Sequence, residues 1–195
     1  MNPELPFEEK YIDWVDNWKQ PHNPIKWIKN SCVWYSQILT TKLGMKKFKD
    51  YIRKFHYGNQ NVSGDKGKNN GLTNSWLSSS LQISPEEQLV FLQKLLANDL
   101  PVSQKAHEMT KNILFVEELS DGWKLYGKTG SGSQASKKKI EKFNLQIGWF
   151  VGWMQKDNRT VVFVHYIEDK KEQEIPPGLR AKAIAKEKLK LAIHQ

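Results

Sequence analysis

Three short motifs, in this order along the chain, hold residue types that could do chemistry together: Ser31-Cys32-Val33, Tyr57-Gly58-Asn59 and Lys128-Thr129-Gly130. A lysine and a hydroxyl on a strand, with a serine supplied by a helix, can bind a carboxylate and relay a proton, which is what acyl transfer to a serine requires. Each tripeptide is common by chance, so the order of the set carries more weight than any member. Singly, each residue also has a structural reading: Ser31 as a helical serine bonded to its own backbone, Tyr57 as a packed aromatic and Trp76 as a core residue with a satisfied N–H. His56, His107 and His165 read as structural or surface residues, because none stands at metal-ligand spacing from a cysteine or carboxylate.

The elements that must position these residues follow from periodicity. Residues 8–19 and 26–43 carry bulky apolar residues at three- and four-residue steps, among them Trp14, Trp18, Trp27, Trp34, Ile38 and Leu39, and both stretches are predicted as helices. Ser31-Cys32-Val33 would then lie inside the second. Met45, Phe48, Ile52 and Phe55 predict an amphipathic helix ending near His56. From Tyr57 to Ser75 the composition is mainly Gly, Asn, Ser, Asp and Lys, which predicts a long loop. Ser84-Pro85-Glu86-Glu87 is a capped helix start that should run to about Leu96, and a second capped helix starts at Ser103. After Asp121-Gly122, strands are expected at Trp123–Tyr126, Leu145–Gln155 and Thr160–Ile167, the last two joined across Asp157-Asn158-Arg159, with Lys128-Thr129-Gly130 ending the first. The lysine-rich stretch from Gly130 to Lys142 would join the first two strands, and Leu179 to Ile193 reads as a closing helix. Helices followed by an antiparallel meander argue for an α+β fold.

At 195 residues, of which 38% are hydrophobic, the chain can bury one domain core or those of two small lobes, and one unit over residues 1–195 is the default. No run of 18 apolar residues predicts a membrane span, and the first residues lack the basic start and apolar stretch of a signal peptide. A single cysteine, Cys32, excludes an internal disulfide and a cysteine-based zinc site; no metal is expected. The net charge of +9 raises the question of nucleic acid, but the lysines are spread over 42–54, 137–142 and 182–190 with no nucleic-acid motif beside them, so a solvated surface is the better reading.

Longer stretches extend the motifs. Phe55-His56-Tyr57-Gly58-Asn59-Gln60-Asn61-Val62-Ser63-Gly64, Trp76-Leu77-Ser78-Ser79-Ser80-Leu81-Gln82-Ile83-Ser84, Tyr126-Gly127-Lys128-Thr129-Gly130 and Gly148-Trp149-Phe150-Val151-Gly152-Trp153 together resemble the class D serine β-lactamases, over essentially the whole chain. The resemblance implies the β-lactamase and penicillin-binding-protein transpeptidase-like fold, an antiparallel sheet with a helical lobe, here without the N-terminal strands and nucleophile helix. It implies penicillin binding and hydrolysis of the β-lactam amide through a serine acyl-enzyme. By residue, Ser31 would sit in the proton path to the lactam nitrogen and Lys128 would hold that hydroxyl and the substrate anion in a positive field. Thr129 and Arg180 would bind the substrate carboxylate, and the Ser131 backbone N–H, after Gly130, would supply half of the oxyanion hole. Tyr57 opens the loop motif. Trp76 would hydrogen-bond the carboxylated lysine that serves the family as general base, with Val33 and Leu77 covering it and controlling water.

That lysine belongs to a Ser-x-x-Lys motif which also carries the nucleophile, and in the family it precedes Ser-x-Val by more residues than the 30 ahead of Ser31 here. Ser136-Lys137-Lys138-Lys139 spells the letters but lies in a charged connection after the Lys-Thr-Gly strand and reads as a solvated charge run. No separate cofactor is implied. The expected partners are β-lactam small molecules and a separate N-terminal fragment, with no nucleic acid. Location is periplasmic or secreted by the family, or cytoplasmic if Met1 is the true start. A non-catalytic relic that binds β-lactams, or one chain of a split enzyme, stays open beside the hydrolase.

Overall fold

The computed structural model describes residues 4–134, 145–169, 171 and 173–193. The chain divides into two compact units, Met1–Gln82 with Asn98–Leu114, and Ile83–Ala97 with Phe115–Gln195.

The first unit is built around aromatic side chains. Residues 8–19 do not form the expected helix; only a single 3-10 turn, Asp16–Trp18, appears there. A helix of that length would hold its ends about 18 Å apart. Instead Leu5 and His22 exchange two backbone hydrogen bonds, of 2.8 and 3.0 Å, and close the segment into a loop. The loop lets Phe7, Tyr11 and His22 surround the buried Trp34, with Tyr11 stacked on it at 5.1 Å. The next expected helix is two: α1, Pro24–Asn30, and α2, Val33–Leu43. They part at Ser31, which is left-handed (φ 53°, ψ 40°) and ends α1, while Cys32 opens α2. The break exposes carbonyls at the end of α1, and the Trp18 indole donates to one of them, Asn30 O, at 2.9 Å. Ser31-Cys32-Val33 is therefore a junction between helices.

Helix α3, Met45–Lys54, is the expected amphipathic element. The long segment after it is mostly loop, with one short helix, α4, Gly71–Asn74. Helix α6, Gln104–Ile113, starts where Ser103 caps it, and packs on α1. Its His107 is buried, with Nδ1 against Ser103 O at 3.2 Å and Nε2 accepting from Leu100 N at 3.3 Å, which makes it a structural residue.

The second unit holds α5, Pro85–Leu96, whose Ser84 and Glu87 form a reciprocal capping box as expected. Four antiparallel strands lie in sequence order: β1 Phe115–Glu118, β2 Lys124–Gln134, β3 Leu145–Lys156 and β4 Arg159–Glu168. β1 is an addition to the expected set. β2 also runs on past its expected end, so Lys128-Thr129-Gly130 lies in its middle. The small residues after Gly130 look like loop in isolation, but Gly130 pairs with Trp149 and Gly132 with Ile147, so β3 supplies the bulk that β2 lacks. Ser136 to Lys139 lie outside the described residues.

Helix α7, Pro177–Ile193, covers one face of the sheet. Ala181, Ala185, Leu189 and Ile193 pack there against Leu125, Phe150 and Met154. Two glycines allow the first turn of α7 to approach β2 and β3: a Cβ on Gly178 would meet Gly130 O at 2.7 Å, and one on Gly148 would meet Pro177 O at 2.3 Å.

Candidate active site

The second unit gathers five of the candidate residues. β1 pairs with β2 no further than Tyr126. Among the described residues, β2 from Lys128 onward thus has β3 on one side and no strand on the other. Such an edge presents main-chain donors and acceptors to an extended ligand. Strand alternation puts Lys128 and Gly130 on one face, and Thr129 and Ser131 on the face toward α7.

Lys128 is half-buried, and its Nζ donates to the Thr129 carbonyl at 2.8 Å and reaches Thr129 Oγ1 at 3.4 Å. Burial pushes its pKa down from 10.5 to about 8, since a charged amine loses solvation there. A lysine of that kind is mostly protonated at neutral pH yet gives up its proton cheaply. The Ser131 hydroxyl accepts from Gly178 N at 3.1 Å and so pins the start of α7 beside the strand. Arg180 stands in the same first turn of α7, where its guanidinium is bonded to Asp169.

The first unit positions the other five. Ser31 is exposed at the junction of α1 and α2, and Val33, half-buried, is the first residue of α2. Tyr57 follows α3, with its N–H on Ile52 O at 3.1 Å, and burial pushes its hydroxyl pKa up to about 12. Trp76 and Leu77 occupy a turn after α4, Trp76 edge-on to Phe48 at 6.2 Å. Asp65 fixes this turn on both sides. Its carboxylate accepts from Asn70 Nδ2 at 3.0 Å and Asn74 Nδ2 at 2.8 Å before the turn, and from Ser79 Oγ at 2.7 Å after it. These donors, with Asn70 first and Lys68 nearby, hold its pKa below the usual value. Asn59 does the same lower in the loop, donating to Ser80 O at 2.9 Å and accepting from Gln82 N at 3.1 Å.

Sequence reasoning passed over Asp65, Asp169 and a second Ser-x-x-Lys match, Ser63-Gly64-Asp65-Lys66. The spelling of that last one could have been found. Its Ser63 and Lys66 are exposed on a loop, with Gly64 at φ 82° between them, whereas the motif needs a helix to bring both side chains to one face. No group of three or more His, Cys, Asp or Glu among the described residues could hold a metal ion. No described helix is long and apolar enough to cross a membrane.

Known proteins resemble this chain in sequence and in fold. Residues 3–190 match the family described as the penicillin binding protein transpeptidase domain. Among solved structures, the class D β-lactamase OXA-427 superposes with a TM-score of 0.90 at 41% identity, covering 98% of this chain and 78% of that one. The chain belongs to the class D β-lactamases. β-lactamase OXA-9 of Klebsiella pneumoniae is 47% identical over 160 residues, 82% of this chain and 58% of that protein. β-lactamase OXA-1 of Escherichia coli is 43% identical over 169 residues, 86% of this chain and 59% of that protein. The chain thus spans less than two thirds of the length of these two class D relatives.

Proposed function

We propose that this class D chain carries the substrate-recognition part of a serine β-lactamase, and that its covalent chemistry needs a Ser-x-x-Lys segment which its described residues do not provide on a helix. The observation that carries the reading is Lys128: half-buried on an open strand edge, with its pKa lowered to about 8 by burial, and followed by Thr129. In this role the Lys128 ammonium attracts the carboxylate of a β-lactam and the Thr129 hydroxyl donates to it. Arg180 adds a guanidinium suited to the same anion. The Ser131 N–H, on the strand that ligands would follow, polarises the lactam carbonyl. Ser31 carries the proton toward the leaving nitrogen, Tyr57 borders the loop, and Val33, Trp76 and Leu77 shelter the lysine base of the added segment from water. By family the complete protein acts in the periplasm or outside the cell.

A second reading, reversible binding without turnover, is favoured for the chain alone. Ser63-Gly64-Asp65-Lys66 is the Ser-x-x-Lys among the described residues, and it is not helical. The test is to fuse the Ser-x-x-Lys segment of a class D relative before Met1 and follow nitrocefin hydrolysis with and without bicarbonate, beside a nucleophile-to-alanine control. Turnover is expected from the fusion, and no benzylpenicillin mass adduct on the chain alone. A soluble, folded fusion no faster than its control, or a stable adduct on the unfused chain, overturns the proposal.

A further inference from the structure

A guanidinium offers two edges to a carboxylate, one between its Nη atoms and one between Nε and an Nη. In Arg180 both are in use. Nη1 donates to Asp169 Oδ1 at 2.8 Å and Nη2 donates to Asp169 Oδ2, which fills the first edge. Nε donates to the Ile175 carbonyl at 2.9 Å, which takes the hydrogen that defines the second. The side chains are only 20% and 10% exposed, so water competes weakly for the pair. Asp169 is itself anchored, since its N–H bonds Gln146 O at 3.0 Å and continues the β3–β4 ladder by one residue. An internal carboxylate therefore occupies the fork in the geometry that a ligand's carboxylate would adopt.

We propose that Asp169 is a specificity-determining competitor: a carboxylate ligand reaches the Arg180 fork only when Asp169 leaves it. The inference rests on the reading of Arg180 as a receptor for the substrate anion. Apparent affinity for any carboxylate then equals the affinity of the free fork, reduced by the fraction of molecules in which the fork is open. Ligands held at Lys128 and Thr129 as well tolerate this loss better than ligands with a carboxylate alone. Asp169 could instead orient Arg180 for the ligand, and the two roles predict opposite signs on its removal.

The chain has three arginines, Arg53, Arg159 and Arg180, so labelling with 15N-arginine gives side-chain Nε signals that single substitutions assign. Acetate and benzylpenicillin are each titrated into the parent, Asp169→Asn, Asp169→Ser and Arg180→Ala, with circular dichroism as the check on folding. Competition predicts that both Asp169 variants bind acetate about fivefold or more tightly than the parent, with the Arg180 signal moving and the gain lost in Asp169→Asn/Arg180→Ala. Equal or weaker acetate binding in the folded Asp169 variants overturns the proposal. Tighter acetate binding at Arg180 with no benzylpenicillin binding in any variant upholds the competition and refutes the lactam reading instead.

Discussion

Replacing Lys128 by methionine removes a charge from a half-buried position and keeps most of the side chain's volume. Burial lowers the Lys128 pKa from 10.5 to about 8. At roughly 1.4 kcal/mol per unit, holding the ammonium in the folded chain costs about 3 kcal/mol relative to the unfolded one. Its bond to the Thr129 carbonyl, 2.8 Å, returns about 1 kcal/mol that methionine forgoes. The variant should therefore be about 2 kcal/mol more stable than the parent at pH 7. The sign with pH follows from proton counts: between pH 8 and 10.5 the unfolded lysine keeps its proton and the folded one has lost it, so parent stability rises with pH there. The advantage of the variant should shrink across that window and give way, above it, to a parent more stable by about 1 kcal/mol. Urea unfolding of both proteins at pH 7, 8.5 and 10, followed by tryptophan fluorescence, measures it. A parent more stable than the variant at pH 7, or a gap that does not change with pH, would refute the reasoning. The stability gained should come at the expense of penicillin binding, since the positive field at Thr129 goes with the ammonium.

Gly152→Ala should destabilise the second unit by about 1–3 kcal/mol or more, read as a lower melting temperature, because the new Cβ would stand 2.0 Å from Tyr126 O and 2.6 Å from Gly127 Cα. Ser84→Ala should cost about 1 kcal/mol in denaturant unfolding, with Ser84→Gly costing less, since the hydroxyl accepts from Glu87 N at the head of α5. An unchanged midpoint in either case would remove the packing or capping argument behind it.

Local signals read truly where a few neighbouring residues decide the outcome. The cap at Ser84, the cap at Ser103 and the hairpin at Asp157-Asn158 are of this kind, and each forms as the spacing predicts. The failures share a cause, which is a partner far along the chain. Residues 8–19 have helical spacing, but Trp34 and His22 draw them into a loop. β1 is four residues long and exists because β2 pairs with it. The candidate site divides the same way: Lys128, Thr129 and Trp76 are legible as motif residues, while nothing in the sequence joins Asp169 to Arg180 or Asp65 to Ser79. Those links depend on where β4 ends and how a loop closes, and tertiary structure alone sets both.

Cys32, between α1 and α2, gives the molecule a built-in clock. It is fully buried beside Trp34 and Tyr35, and burial pushes its thiol pKa up to about 11, so almost no thiolate exists at neutral pH. A disulfide reagent can reach it only during transient openings of its surroundings, and the rate of modification then measures how often the first unit opens. No other cysteine occurs in the chain, so events confined to the second unit leave no mark on that rate. Any ligand or added segment can thus be asked which half of the chain it steadies, from one mass spectrum per time point.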